Sequence, residues 1–482
     1  MDELEEKLKI DTGNSSDFIY KKIIIKGTNI MLVFNDVLTS SENINQFILK
    51  NIATTIDDNL PINTSIYNRL FNTLPGNNIK KINTYPDLLD SLYNGYAILI
   101  IDKDNIMAIE VRASLDRGIP DATSEQSIQG PKDAFTENFN KNLGLIRKRL
   151  KSNKLWLDDF NIGSISKTKV GILYIKNIAE DKLIKEVTDK LNKINIDGII
   201  DSGYIKEMIS NDKQNFFPTI MATERPDQVS MALLEGKIAI IVDNSPYVLI
   251  IPCFLIDLFH TADDYYQKQV NISFIRIIRL LAFIIAIFVP AYYIAVTTHN
   301  HDALSLDLLI NFAAQREMVP FPALVEALLM SITFEILRES DTRMPSSMGT
   351  AVSILGGLVL GDAAVSAGIV SPIMIIVIAI SAISGLLFSE VELISAIRWW
   401  RFILMFLATI LGIYGVFIGT LLLISKLASL KSFGKPYLTP FAPYLKSEQQ
   451  DALIKYNKTK KKYRNPYLTK TNLVRGDNYQ ED

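Results

Sequence analysis

The chain has 482 residues, a formal net charge of -2 and one cysteine, Cys253. This balanced charge argues against a nucleic-acid-binding protein, which usually carries a strong basic excess. A lone cysteine excludes an internal disulfide, and the length predicts two or three domains. Long apolar runs are concentrated between positions 274 and 426. We therefore expect a soluble N-terminal region followed by a membrane domain.

The N-terminal stretch MDELEEKLKI is acidic and has no apolar core of the kind that a signal peptide needs. We expect residues 1–17 to be flexible. Insertion into a membrane must then depend on internal segments of the chain.

Two similar halves precede the membrane region. The run GYAILIID at Gly95–Asp102 resembles GKIAIIVD at Gly236–Asp243, and each leads through a polar turn into a second apolar run. This pattern predicts β-hairpins. Upstream of each hairpin, a β-like run leads into an amphipathic helix. We predict an α/β region with two similar subdomains, at 18–112 and 160–270. A chance similarity between two α/β units is the alternative.

A connecting segment, residues 113–159, joins the two subdomains. Gly130-Pro131 is typical of a helix start, and the apolar spacing predicts a helix from about 132 to 150. One interpretation is a signalling strut, and the other is a solvated linker helix. Arg225, which precedes a proline, could pair with Glu110 or Glu137 or could cap a turn. The candidate signalling residues are Glu110, Arg112, Glu137, Asn138, Asn142 and Arg225.

Four apolar segments are predicted to cross the membrane. Residues 280–298 form an uncharged run that is long enough to span a bilayer as a helix, and Pro290 predicts a kink in that helix. Residues 349–388 carry one charge, Asp362, and as a single helix would be about twice the ~30 Å hydrocarbon core. They must therefore fold back, most naturally at 368–372. The predicted spans are 274–298, 349–368, 372–388 and 402–425, within an all-α polytopic membrane domain over residues 271–428.

Basic residues place the ends of the membrane domain. Arg276 and Arg279 precede the first span, and lysines from Lys426 onwards follow the last. An excess of Lys and Arg marks the cytoplasmic side, so both termini are predicted to be cytoplasmic and the number of spans even. Residues 429–482 form a basic tail that we expect to be mobile.

The stretch at 322–339 is apolar but contains Glu326 and Glu335, which point about 180° apart on a helix. Arg338 is expected to neutralise Glu335, whereas Glu326 has no basic neighbour on its own face. One interpretation places this helix in the outer interface, with its carboxylates among the lipid headgroups. Another places Glu326 in an acidic ring at a pore mouth formed by several copies. A fifth span would contradict the charge pattern.

Several long motifs in one order resemble the A subunit of GerA-type spore germinant receptors, over about residues 15–445. The motifs are QGPKDAFTENFNKNLGLIRKRL, FPTIMATERPD, DNSPYVLIIP, VPFPALVEALLMSITFEILRE and SLKSFGKPYLTPFAP. This resemblance implies a multi-pass protein of the spore inner membrane, a homo-oligomer in contact with lipid. It also implies two partners, a transporter-like B subunit and a lipoprotein C subunit.

The resemblance implies a nutrient-responsive receptor subunit that forms a ligand-gated cation channel. The alternatives are a non-conducting scaffold or signalling subunit, and a secondary transporter. We expect no enzymatic activity, cofactor, metal or nucleic-acid partner, because no catalytic or metal-binding spacing appears. Gly357 and Gly361 form a GxxxG pair suited to close helix packing. The candidate residues of the ion pathway are Glu326, Thr333, Val352, Ser353, Gly356, Gly357 and Asp362.

Overall fold

The chain divides into two units in the computed structural model. The α/β unit contains Met1–Lys213, Thr219–Pro252 and Thr459–Asp482, and the helical unit contains Gln214–Pro218 and Cys253–Lys458. The structure describes residues 2–25, 28–57, 66–74, 79–101, 105–112, 122, 125, 129–210, 215–343, 357, 359–446, 449–456, 463–470 and 472–475.

The first subdomain is a five-stranded antiparallel sheet with strand order β1-β2-β4-β5-β3. Both faces are covered, because alternate residues of β2 and β4 point into two separate apolar clusters. Its elements in chain order are α1 (Asp2–Asp11), β1 (Phe18–Ile25), β2 (Thr28–Asn35), α2 (Ser41–Asn43 and Lys50–Asp57, joined by the π-helical turn Ile44–Leu49), α3 (Ile66–Thr73), β3 (Ile79–Ile82), α4 (Tyr85–Tyr93), β4 (Tyr96–Ile100) and β5 (Ile106–Glu110).

The second subdomain repeats this topology. Its antiparallel sheet has the order β6-β7-β9-β10-β8, which is the same order as in the first sheet when the strands are counted along the chain. The predicted similarity between the two halves is therefore confirmed. Its elements are β6 (Leu155–Ile162), β7 (Thr168–Ile175), α6 (Asp181–Asn192), α7 (Ser202–Ile209), β8 (Met221–Thr223), α8 (Pro226–Glu235), β9 (Ile238–Val242) and β10 (Val248–Ile251).

The connecting helix, α5 (Phe139–Arg149), begins later than the predicted start near residue 132. Asn138 caps it by accepting a hydrogen bond from the backbone N–H of Lys141 at 3.0 Å. The first strand of the second sheet also begins at Leu155, five residues before the predicted start of that subdomain. The helix α5 begins late because the cap at Asn138, and not Pro131, satisfies the free N–H groups of its first turn.

A buried ion pair joins α5 to the first subdomain. The Arg147 guanidinium, which has no exposed surface, donates to Oδ1 of Asp17 at 2.9 Å and to the Leu155 carbonyl at 3.0 Å. Asn35 donates to the other oxygen of Asp17 at 2.7 Å. The guanidinium also lies 5.2 Å from the ring of Phe18. Both charges are thus hydrogen-bonded, as burial requires.

Two further contacts support this joint, which we define by Asp17 and Arg147. The hydroxyl of Ser15 accepts a hydrogen bond from the Leu157 backbone N–H at 2.9 Å. The ring of Trp156 packs over Gly13, where a Cβ would lie 2.1 Å from the indole, and the glycine has a positive φ of 68°. Glycine is therefore the residue that fits this position.

The helical unit contains α9 (Gln269–Thr298), α10 (Leu306–Arg316), α11 (Ala323–Arg343), α12 (residues 359–366), α13 (Pro372–Gly385), α14 (Val391–Leu411) and α15 (Ile413–Ser429), followed by a small hairpin, β11 (Lys431–Ser432) and β12 (Lys435–Pro436). By length and composition, α9 and α14 are able to cross a membrane. The helices α13 and α15 are apolar but shorter.

The contacts at the helix ends define two ends of this bundle. At one, which we call the Gly412 end, His299 Nε2 lies 2.7 Å from the Thr409 carbonyl, and Asn300 Oδ1 accepts from the Ile413 N–H at 2.9 Å. At the other, the Phe388 end, the rings of Phe259 and Phe388 lie 5.5 Å apart. It follows that α14 runs parallel to α9, and α15 returns antiparallel to both.

The predicted span at 402–425 is wrong. The chain turns at Gly412, which has φ 59°, so the segment forms the end of α14 and most of α15. The hairpin is close-packed: a Cβ on Gly415 would lie 2.0 Å from the Leu407 carbonyl, and one on Gly419 would lie 2.3 Å from Leu404. These two glycines form a GxxxG pair that lets the helix backbones approach.

The stretch predicted as an interfacial helix at 322–339 instead forms most of α11, which packs within the bundle. Glu326 lies at the Gly412 end, because it contacts Ser371 at the start of α13. Glu335 contacts Arg401 part-way along α14. The helix therefore runs parallel to α13, away from the Gly412 end. The physical reason is that its carboxylates are neutralised by other helices and need no headgroup water.

We predict that Arg147→Met lowers the free energy of unfolding by about 3 kcal/mol, because it leaves the buried Asp17 carboxylate without its cation. The matched control is Arg149→Met on the same helix, whose partly exposed pair with Asp133 should contribute at most about 1 kcal/mol. Urea unfolding of the full chain in detergent, followed by circular dichroism, compares the two. Equal losses would mean that the joint is not a stabilising contact.

Candidate functional site

Glu326 is neutralised inside the protomer. Its side chain is fully buried; one oxygen lies 3.3 Å from the Arg316 guanidinium at the end of α10, and the other accepts from the Ser371 backbone N–H at 2.9 Å. The expectation of an unpaired carboxylate is therefore wrong. The basic partner lies on a different helix, which the helical spacing of α11 alone could not reveal.

Glu335 is also paired, and more heavily than expected. Arg338 on the same helix lies 2.6 Å from one oxygen, as the spacing predicted. Arg398 and Arg401 of α14 approach the other oxygen at 2.9 and 3.4 Å. Arg401 also donates to the Ser381 hydroxyl at 3.2 Å. This group holds α11, α13 and α14 together.

The segment that contains Gly357, Gly361 and Asp362 has an open face. At Gly357 and Gly361 a Cβ would meet no atom of the described residues within 4 Å. Asp362 is exposed on α12. Gly368, just beyond that helix, lies at the Gly412 end, since its Cβ would be 3.1 Å from the Met318 carbonyl. Asp362 is thus an exposed carboxylate that no described residue of its own protomer covers.

The remaining ion-pathway candidates are divided. Thr333 is half-buried on α11. Val352, Ser353 and Gly356 lie outside the described residues. The structure therefore brings Glu326 towards Arg316 and leaves Gly357 and Asp362 on a separate, open surface.

The candidate signalling residues have mainly local roles. Glu110 and Arg112 pair with each other at 3.2 Å at the edge of the first sheet. Glu137 accepts a hydrogen bond from the Asn244 N–H at 2.8 Å through its backbone carbonyl. Asn138 caps α5, and the buried Asn142 accepts from the Thr136 N–H at 2.7 Å. These contacts shape the connector and hold it against the second subdomain.

Arg225 is fully buried and does not pair with Glu110 or Glu137. It forms a two-pronged ion pair with Asp227, two residues further on, at 3.1 and 2.7 Å. It also donates to the carbonyls of Glu125 and Pro131, at 3.2 and 3.0 Å. Arg225 therefore fastens the connecting segment to the start of α8.

Arg147 ties α5 to the first subdomain, and it was not among the candidate residues named from the sequence. One signal was available: Arg147 lies four residues after Leu143 and eight after Phe139, on the apolar stripe of the helix. A charged residue on such a stripe needs a buried partner. Asp17, its partner, lies 130 residues earlier and cannot be identified by local spacing.

A second group of charges, which we call the α9 hub, surrounds the start of α9. Arg276 bridges Asp264 and Asp451 at 3.0 and 2.9 Å, and Arg279 also contacts Asp264 at 2.9 Å. Burial raises the pKa of Asp264, but hydrogen bonds and charge from Arg279 and Arg276 outweigh it, so the net shift is downwards. The carboxylate stays ionised.

His260 lies beside the α9 hub, with Nε2 at 2.8 Å from the Ala452 carbonyl. Burial, reinforced by the positive charge of Arg276, lowers its pKa from 6.5 to about 4. The folded state therefore contains neutral imidazole, which donates its Nε2 proton to the carbonyl.

The described parts of the C-terminal tail are packed, in contrast to the mobile tail that we expected. Residues 449–456 reach the α9 hub through Asp451. In the α/β unit, Arg464 donates to the Leu234 carbonyl at 3.0 Å, and Lys470 pairs with Glu180 at 2.9 Å. Within the described ranges, no cluster of three or more His, Cys, Asp or Glu residues is suited to a metal ion.

Comparisons with known proteins agree over most of the chain. A family model described as "Bacillus/Clostridium GerA spore germination protein" matches residues 6–467. The chain is 37% identical over 451 residues to "Spore germination protein KA" of Bacillus subtilis (strain 168), covering 93% of this chain and 82% of that protein. It is 35% identical over 452 residues to "Uncharacterized membrane protein YfkQ" of the same organism, covering 93% and 88%.

Among solved structures, the chain is similar to the N-terminal domain of the A subunit of the Bacillus megaterium spore germinant receptor GerK3. The match has 32% sequence identity and a TM-score of 0.39, and it covers 52% of this chain and 93% of that one.

We predict that Glu326→Gln destabilises the helical unit by about 2 kcal/mol, since it leaves Arg316 facing a buried site without a counter-charge. Glu339→Gln is the matched control on the same helix, because its exposed pair with Arg343 should contribute under about 1 kcal/mol. Thermal unfolding in detergent measures both. If Arg316→Gln fails to restore part of the stability lost in Glu326→Gln, the pairing does not account for the effect.

We also predict that the helical unit loses stability in acid. Neutral His260 is the folded form, so its contribution is complete above pH 6.5 and is lost as the pH falls from 6.5 towards about 4. His260→Gln keeps a donor for the Ala452 carbonyl but cannot titrate. The melting temperature of the full chain should therefore fall less between pH 7 and pH 5 in this variant than in the unmodified protein; equal pH profiles would exclude His260.

Proposed function

We propose a function from one premise: the chain belongs to the Bacillus/Clostridium GerA family of spore germination proteins. Its relatives include "Spore germination protein KA", and the similar solved domain comes from a receptor A subunit. We infer that this chain is the A subunit of a receptor that responds to a nutrient in the spore inner membrane. A transporter-like B subunit and a lipoprotein C subunit complete that receptor.

The proposed topology places both termini in the spore core. The basic groups Arg276 and Arg279 precede the apolar part of α9, and Lys426 lies near the end of α15. These positions all lie towards the Phe388 end of the bundle. Because Lys and Arg favour the cytoplasmic side, we assign that end to the spore core and the Gly412 end to the outside.

The open face of α12 is the observation that supports an oligomeric channel. A carboxylate facing lipid is costly, so the exposed Asp362 requires water or another protein surface. Gly357 and Gly361 have free space in front of them, which permits a second helix to approach closely. Several copies arranged around this face would enclose a water-filled path next to Asp362. Acidic groups along such a path attract cations.

Glu326 has a different place in this proposal. Its carboxylate forms an ion pair with Arg316 and accepts a hydrogen bond from the start of α13. Glu326 therefore positions helix ends and does not supply a free negative charge to a pore. Among the described candidates, the ion pathway therefore rests on Asp362, with Gly357 and Gly361 at the contact between copies. Half-buried Thr333 can contribute to the same path only if α11 also faces the axis.

Ligand binding by the B subunit would act by favouring one of two arrangements of this ring. A partner can shift such an equilibrium only through differential affinity for the two states. The A subunit offers an element with two possible environments, because no described residue of the same protomer covers Gly357 and Gly361. A non-conducting scaffold is the competing function, and it requires no dependence on Asp362.

We predict that Asp362→Asn reduces cation flux through the reconstituted receptor by about tenfold without changing its assembly, because the carboxylate attracts cations to the path. Liposome flux assays with the A, B and C subunits and the nutrient test this. Unchanged flux in Asp362→Asn would remove this residue from the channel and favour the scaffold function.

We predict that Gly361→Leu prevents assembly, because a large side chain fills the space that a second copy needs. Ala363→Leu is the matched control, since it places the same side chain at an exposed position on the other side of α12. Light scattering of the detergent-solubilised protein measures the oligomer mass. An unchanged mass in Gly361→Leu would contradict the packing role.

A further inference from the structure

Glu335 is surrounded by more positive charge than one carboxylate can neutralise. Three guanidinium groups, those of Arg338, Arg398 and Arg401, surround this one carboxylate at 2.6, 2.9 and 3.4 Å. Among the described residues, no second carboxylate joins them. This set, which we call the arginine cluster, therefore carries a net charge of about +2, in an apolar bundle where unbalanced charge is unfavourable.

Part of the donor capacity of the arginine cluster is unused. Nε of Arg401 is buried, in a side chain with 5% exposure, and has no hydrogen-bond acceptor among the described residues; the same is true of the indole N–H of Trp400. The side chains of Arg338 and Arg398 remain 25% and 27% exposed. The cluster is thus anchored on one side and accessible to a ligand on the other.

The height of the arginine cluster in the bundle indicates which ligand can reach it. Because α14 and α15 are antiparallel about Gly412, Arg398 and Lys426 lie at the same height, equally far from the turn. Trp399, half-exposed, lies beside them. Tryptophan and lysine at one level are typical of the boundary between hydrocarbon and headgroups. In a bilayer positioned by these residues, the lipid phosphates of one leaflet are at that level.

We propose that the arginine cluster binds the phosphate of an anionic phospholipid in the leaflet at the Phe388 end. Arg338 and Arg398 contact the phosphate oxygens, and Arg401 supports them from the buried side. A planar guanidinium presents paired N–H donors that match phosphate geometry, and the lipid supplies the missing negative charge. Glu335 keeps the three arginines in position. This site is separate from the surface of α12 and does not depend on ion conduction.

The test uses the full chain in neutral detergent, with phosphatidylglycerol, phosphatidylcholine or inorganic phosphate added. Phosphatidylglycerol should raise the melting temperature, and native mass spectrometry should show it bound. Phosphatidylcholine and inorganic phosphate should have little effect. In the double variant Arg338→Gln/Arg398→Gln, the affinity for phosphatidylglycerol should fall about thirtyfold, since each basic residue near a lipid surface contributes about fivefold.

Arg343→Gln is the matched control, because Arg343 lies on the same helix and pairs only with exposed Glu339 among the described residues. It should keep the affinity for phosphatidylglycerol. The double variant retains Arg401 opposite Glu335 but loses two contacts that hold the helices together, so its melting temperature without lipid should fall. The lipid effect is therefore read, for each variant, as the change from its own lipid-free melting temperature. A variant that fails to fold is replaced by Arg398→Lys, which keeps the charge but not the paired donors and should weaken binding less.

Three results would overturn the proposal. Equal stabilisation by phosphatidylcholine would mean that the effect is not specific to anionic lipid. Equal stabilisation by inorganic phosphate would identify a site for the free ion. A loss of self-association in the double variant, with lipid binding unchanged, would assign the surplus charge to a carboxylate of a second copy.

Discussion

Neutralisation of buried charge is the constraint on which the arrangement of this chain depends. A carboxylate in an apolar bundle must be paired, since water cannot solvate it there. Glu326 is paired by Arg316 from the preceding helix, and Glu335 by arginines from its own helix and from α14. These two contacts, on opposite faces of α11, determine where that helix can lie. A stretch that would be too charged to enter a bundle alone is thereby placed inside it.

Two GxxxG pairs lie in different environments, one packed within the protomer and the other on an open surface. Gly415 and Gly419 are used within the protomer, where they bring α15 against α14. Gly357 and Gly361 have the same spacing but face open space. Close backbone packing is favourable wherever a partner helix is available. The first pair has such a partner in the chain, whereas the second has none among the described residues, and this difference separates folding of the protomer from its proposed assembly.

Buried charges are also paired in the α/β unit, where they fix the connecting segment. Asp17 and Arg147 are buried and hydrogen-bonded to each other, so the first subdomain and the connector are held by a contact that cannot be broken without leaving an unpaired charge. Arg225 fixes the other side of the connector through Asp227. The connecting segment is therefore tied on both sides to the sheets that it joins. Packing of Arg464 against α8 adds the C-terminal tail to the same unit.

The sequence by itself determined the periodic and local features. The repeated hairpins predicted two similar subdomains, the uncharged run at 280–298 predicted a membrane helix, and the i,i+3 spacing predicted the pair Glu335–Arg338. The long motifs carried the family resemblance. Each of these depends on neighbours in the chain or on patterns that repeat along it, which is why they could be recognised without a structure.

Only the tertiary structure decided which charges meet across helices and where the chain turns. Arg316 neutralises Glu326 from another helix, and Asp17 reaches Arg147 across 130 residues. The division of 402–425 at Gly412 follows from contacts with Asn300 that hydropathy does not encode. An apolar pattern gives the tendency of a segment to leave water, but the partner of a buried charge and the position of a tight turn depend on residues distant in sequence and close in space.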